Sequence, residues 1–270
     1  MRSRRPGNRC TSLWYLTEVA TGSERPAGQG YSCGMTAVTT SPTLAADRSD
    51  ELTLLGLVGQ LELIAFTRLA EDSSLAPALD QTLRLARFAA GAVARLERIF
   101  DRIRELGGTP EEEIARFDHV MDDFDARTPS STWSERLLKA YVGYGVADDF
   151  CKSAAAGLDE ATCALVNEVL DGASHADLVV ADLAAASADD DALTSRLALW
   201  GRRMVGEALG VVQSLIQSHP GLGRLLTSAA AENASPAADD DDAQADAVAR
   251  LFGRLTAEHT HRMARLGLTA

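Results

Sequence analysis

The stretch 52–72, LTLLGLVGQLELIAFTRLAED, reads as a helix with a carboxylate on its apolar face. Leu54, Val58, Leu61, Ala65 and Leu69 recur three and four residues apart, so they share one stripe. At about 100° per residue, Glu62 falls roughly 40° from the middle of that stripe, among the core positions. A buried glutamate is costly unless it is paired, protonated or bound to a metal. What constrains the fold is whether other helices bring ligands to meet Glu62, and the rest of the sequence offers fewer than an enzyme needs.

Composition agrees with a helical protein. Of 270 residues, 46% are hydrophobic and only 5% aromatic. Ala and Leu dominate, and runs of Val and Ile are short. The length allows one large core or two modest ones. A formal net charge of −13 argues against a broad nucleic-acid footprint, though it leaves room for a local basic patch. No apolar run is expected to reach the length of a bilayer span, so no membrane partner is expected. Cys10, Cys33, Cys151 and Cys163 form no CxxC pair, so no zinc or redox motif is visible. With no secretory signal either, the expectation is a reduced, cytoplasmic protein.

The chain divides by composition. Residues 1–49 are expected to be a disordered or spurious N-terminal extension. Within it, 1–34 is basic and without a sustained period, and 35–49 is a polar leader, with the working start placed at Met35. Residues 50–268 form the folded domain, interrupted by an acidic loop at 232–245. Helices are predicted over 49–72, 76–106, 109–127, 131–157, from 159 through the stripe that ends at Leu183, 191–217 and 245–266. A further short turn or two falls at 222–231. The start signals are Thr109 followed by Pro110, and Asp159; the stop signals include Gly107 and Gly108. The second helix turns Ala89, Ala92, Val93, Leu96, Phe100 and Ile103 inward, with Arg95 towards the edge of that stripe.

Several polar residues fall on or near apolar stripes. Asp148 lies beside Leu137, Tyr141, Tyr144 and Ala155, whereas Asp149 points about 100° away. His175 sits on the flank of its helix, roughly 120° from the centre of the stripe, either as a partly exposed, hydrogen-bonded residue or as a ligand. His259 shares a face with Val248, Leu251, Leu255, Arg262 and Leu266, and is the histidine best placed for burial; His261 is off that face. An inward His259 could hydrogen-bond Glu62 or bind a metal. His119 among Asp118, Asp122 and Asp123 reads as a solvated acidic surface, as do Glu97 and Glu207. No helix-turn-helix with a basic second helix is present, which argues against a transcription regulator.

Long helices joined by short loops, with one crossing helix between the second and third, suggest an all-α, ferritin-like helical bundle with additional C-terminal helices. LELIAFTRLAED, LERIFDRIRELGG, LLKAYVGYGVADDF, EVLDGASHADL, LALWGRRMVGEAL and FGRLTAEHTHRMARLGL, in that order over about 50–268, resemble an actinobacterial family of ferritin-like proteins. That family is similar to the MiaE-type tRNA hydroxylases, which act on 2-methylthio-isopentenyl-adenosine. The resemblance implies a dinuclear iron site that activates oxygen to hydroxylate a C–H bond, with a modified tRNA adenosine as substrate. Such bundles draw carboxylates from two helices and carboxylate-x-x-His pairs from two others.

Under that resemblance Glu62 fits the first-helix carboxylate and His175 the histidine of the fourth-helix pair. Asp148 and His259 are the weaker metal candidates. The position three before His175, where an acid is wanted, is Gly172, and Asp171 is turned about 100° away. On the second helix the carboxylate and histidine positions are Ala92 and Arg95. On the third, Tyr144 stands where an acid is expected, with Asp148 one turn on. Arg95, turned inward, would pair with Glu62 and take over the electrostatic role of a metal.

Two functions follow. One is a non-catalytic helical interaction protein, a homo-oligomer, with a degraded di-iron site. The other is an active di-iron monooxygenase with iron as its cofactor. No catalytic residue is nominated for either.

Overall fold

The first helix extends further in both directions than its apolar period marks. The structure, a computed structural model, describes residues 42–231 and 240–270. The expectations for 1–41 and for 232–239 of the acidic loop lie outside these residues. α1 runs Pro42–Leu75, starting ahead of the expected 49 and including part of the polar leader. A short turn leads into α2, Leu79–Glu105, which packs along α1. Gly107 ends α2 as expected: at φ 81 it lets the Gly107 and Gly108 amides donate to the carbonyls of Arg104 and Ile103. The inner face of α2 is Leu85, Ala89, Ala92, Leu96, Ile99 and Ile103, while Val93 is 40% exposed. The predicted stripe was thus turned slightly too far towards Val93.

The helix expected over 109–127 is two short helices, α3 Pro110–Ala115 and α4 Asp122–Arg127. Between them the hydrogen bonds tighten to i→i+3, and His119 adopts φ 66, which a continuous α-helix does not accommodate. Thr109 occupies the position before α3, but its side chain makes no capping bond. Pro110 and the acids of the first turn remain as the start signal. Gly56 of α1 lets α3 come close: a Cβ there would stand 2.5 Å from the Glu113 carbonyl oxygen.

The third long helix is a rod of three parts: α5 Trp133–Leu138, a π turn Lys139–Gly143, and α6 Tyr144–Ala155. Its start is fixed by reciprocal capping. Thr132 Oγ1 accepts from the Glu135 amide, and Glu135 Oε2 accepts from the amides of Ser131 and Thr132. The π turn ends at Gly143, where a Cβ would stand 2.6 Å from the Phe124 ring, so the absence of a side chain lets α4 pack there. α6 is surrounded by α1, α7, α9, α10 and α11.

The expected fourth helix is broken. α7 Glu160–Val169 is capped by Asp159, as predicted, and α8 Ala173–Ser187 starts after Gly172. The Asp171-Gly172 pair is a poor helix interior and supplies the break. α9 Asp191–Ser218, α10 Pro220–Ala231 and α11 Asp240–Arg265 complete the bundle. α11 begins ahead of the expected 245 because an acidic first turn suits the positive end of a helix. No strand occurs among the described residues.

The expectation that no apolar run reaches bilayer length is corrected. Residues 48–75 of α1 are long and apolar enough to cross a membrane by length and composition, but 56% of the most apolar window is buried inside the bundle.

Candidate functional site

The face of α1 that carries Glu62 closes one wall of a cavity of about 250 Å³. α1 supplies Leu61, Glu62, Ala65, Arg68 and Leu69, and α2 supplies Phe88 and Arg95. The third rod adds Ala140, Tyr144 and Asp148, spaced four apart on one face. The break between α7 and α8 adds Asp171, Gly172 and His175. Three of the four expected metal candidates, Glu62, Asp148 and His175, therefore meet.

Glu62 is 4% exposed, and Arg95 holds it. Arg95 Nε and Nη2 lie 3.0 and 2.9 Å from the same oxygen, Glu62 Oε2. Burial pushes the Glu62 carboxyl up to about 7, although the charge and hydrogen bond of Arg95 pull it down; Asp148 adds to the rise. Asp148 is likewise raised by burial, to about 6, against the attraction of Arg262 and Lys152. His175 is pushed down to about 3 by burial and by the charges of Arg68 and Arg95, so its ring is neutral at pH 7. Phe88 meets that ring edge-on at 5.7 Å, and His175 Nε2 is buried with no hydrogen-bond partner among the described residues. Of the two sequence readings of His175, the hydrogen-bonded flank residue does not account for this nitrogen.

His259 does not join the cavity. It lies on α11, 3% exposed as its stripe predicted, with neither ring nitrogen partnered among the described residues. A hydrogen bond from His259 to Glu62 is therefore absent among them. Asp149 instead forms a two-pronged pair with Arg262, at 2.6 and 2.7 Å, which ties α6 to α11. His119 makes an exposed pair with Asp122, in line with a surface reading. Glu207 is paired with Arg127 at 3.3 Å, a partner that the solvated reading omitted.

The residue that sequence reasoning missed is Arg68. It follows Leu61 by seven residues, about 20° off the same stripe, so the angle argument applied to Glu62 would have found it. Its guanidinium carbon stands 4.1 Å from the centre of the Tyr144 ring. Tyr144 is in turn fixed by its hydroxyl, which donates to Asp125.

Chemically the cavity offers three carboxyls, of which Glu62 and Asp148 are raised towards neutrality and Asp171 is the third, together with one neutral imidazole and two guanidinium groups. Among the described residues, no group of three or more His, Cys, Asp and Glu side chains is arranged to hold a metal ion.

A family model described as "Ferritin-like domain, actinomycetes" matches residues 47–229, from α1 to α10, and stops short of α11. No curated protein matches the chain.

Proposed function

The chain belongs to the ferritin-like domain family of actinomycetes, and on that premise we propose that it is a non-catalytic helical binding protein. In this reading an Arg95–Glu62 ion pair stands where a dinuclear iron centre is implied by likeness to the MiaE-type hydroxylases. The observation that carries the reading is Arg95 engaging the carboxylate oxygen that a metal would need.

The residues present do not fit a di-iron centre. Such a site draws about six side-chain ligands, including a carboxylate-x-x-His pair from each of two helices. Here Ala92 and Arg95 occupy one pair of positions, and Gly172 leaves His175 without its acid. Arg95 and Arg68 both line the cavity. At an effective dielectric of about 20, two like unit charges about 4 Å apart repel by about 4 kcal/mol, and a divalent ion doubles that. An internal Arg–Glu pair neutralises the buried carboxylate without a metal.

The test is metal content, measured on full-length protein purified without a metal-binding tag and then loaded anaerobically with ferrous iron. Iron well below one per chain is expected. Close to two per chain overturns the reading and leaves the runner-up, a di-iron monooxygenase acting on a modified tRNA adenosine. What favours that runner-up is the meeting of Glu62, Asp148 and a neutral His175 in one cavity.

A further inference from the structure

A second and larger cavity, of about 540 Å³, lies on the other part of the α1 face, and Arg68 and Tyr144 line both cavities. We propose that Arg68 makes this larger cavity a binding site for a small monocarboxylic acid that also carries a hydrogen-bond donor. The proposal does not rest on the fate of the metal site.

The argument begins with charge. Three cations line the cavity: Arg68, Arg136 and Lys139. Arg136 is neutralised by Asp72 at 2.6 Å and Glu71 at 3.1 Å. Lys139 is neutralised by Asp125 at 2.7 Å and also donates to the Thr128 carbonyl. Those three carboxylates are all the acids that line the cavity, and each is already engaged. Among the described residues Arg68 has no carboxylate within ion-pair distance. Its Nε and Nη1 are buried with no acceptor there, it lies against the face of Tyr144, and Glu62 and Asp148 feel its charge from further off. On the side of the smaller cavity the nearest acid of α1, Glu62, is taken by Arg95.

Guanidinium N–H groups buried without an acceptor are unfavourable unless something brings the acceptor in. The lining balances in sum, three cations against three carboxylates, but two of those carboxylates share Arg136, so Arg68 is the cation left without one, and its planar guanidinium suits a single carboxylate. A phosphate monoester would bring more negative charge than the site balances.

Two further orphans narrow the ligand. Gln60 Oε1 and Ser130 Oγ are buried without partners, and both residues line this cavity. Gln60 Oε1 can only accept, so the ligand must supply an N–H or O–H. Leu63 and Ile64 give the wall an apolar part on which a short carbon chain can lie.

The experiment is thermal unfolding of the full chain with defined probes: 6-hydroxyhexanoate, its uncharged analogue hexane-1,6-diol, and hexyl phosphate. The expected result is a saturable rise in Tm with 6-hydroxyhexanoate and none with the diol. Arg68→Met is expected to abolish that rise, while its own Tm without probe is no lower than that of the parent. Gln60→Leu is expected to weaken 6-hydroxyhexanoate up to roughly tenfold and to leave hexanoate unaffected. The proposal is overturned if the shift survives in Arg68→Met or if the diol matches the acid. It is equally overturned if hexyl phosphate binds more tightly, or if no saturable shift occurs well above millimolar probe. Should Arg68→Met not fold, Arg68→Lys and Ser130→Ala carry the test: each is expected to reduce the shift, and an unchanged shift in both overturns the proposal.

Discussion

Arg95 places two nitrogens on one oxygen of Glu62, so a single carboxylate oxygen on α1 joins the first two helices at the cavity wall. The pair sits where burial opposes charge, and burial is the larger influence on Glu62.

That balance has a pH signature. The Glu62 carboxyl is raised from 4.5 to about 7 on folding. A raised acid contributes stability that is present below its unfolded value and is lost as pH rises through the folded one. In Arg95→Met the carboxylate loses its partner, so the variant should lose about 3 kcal/mol relative to the parent at pH 8 and much less at pH 5. Urea unfolding of both proteins at the two pH values checks this. Equal losses at both would mean that Arg95 matters through packing alone.

His259 predicts the opposite slope. Its ring is held down from 6.5 to about 4 by burial and by Arg262. The stability it contributes is complete above 6.5 and is lost as pH falls towards 4. His259→Leu removes this dependence and leaves no hydrogen bond to replace. The variant should match the parent near pH 7.5 and exceed it by about 2–3 kcal/mol near pH 4.5. Chemical denaturation at both pH values would expose a parent that tolerates acid as well as the variant does, which would sink the prediction.

Donors added at the smaller cavity should create metal binding. A Cβ at Gly172 meets nothing within 4 Å, so Gly172→Glu starts an acid side chain into open space three residues before His175. Combined with Arg95→His it removes one guanidinium and adds two donors. The double variant is expected to bind cobalt(II) with visible d–d absorption, where the parent shows none. A colourless double variant would mean that Arg68 alone keeps cations out.

Two glycines separate close packing from helix propensity. Gly56→Ala drives a methyl against the Glu113 carbonyl and should cost about 1–3 kcal/mol. Gly206, exposed on α9, meets nothing within 4 Å, so Gly206→Ala should stabilise by about 0.5–1 kcal/mol. A calorimetric Tm for Gly56→Ala that equals or exceeds the parent's would contradict the close approach of α3 to α1, and a lowered Tm for Gly206→Ala would contradict the propensity argument.

Much of this arrangement was legible because it is local. Helical period alone put Glu62 and His259 inside, brought Asp148 beside a stripe and marked Asp159 as a cap. It also left Arg95 at an edge from which it could reach Glu62. What escaped depends on neighbours far away in the chain. The π turn ends where Phe124 packs on Gly143, and no wheel drawn on 131–157 contains Phe124. His259 was correctly turned inward, but inward for α11 is not towards Glu62; period fixes a face and not what lies opposite it. Arg68 is a different case: its angle was available, and a cation in an apolar stripe carries the same question as an acid.

The π turn has one more consequence. A turn of that kind holds an extra residue, so α6 runs about 100° out of step with α5. Residues 140–147 are consecutively buried, with helices on every side of α6. Tyr144 and Asp148 thus stand on the bundle's axle, after a change of phase. A single-residue deletion within 139–143 would swing both side chains away from Glu62 and Arg68 together, taking Tyr144 from both cavities and Asp148 from the smaller one in a single step.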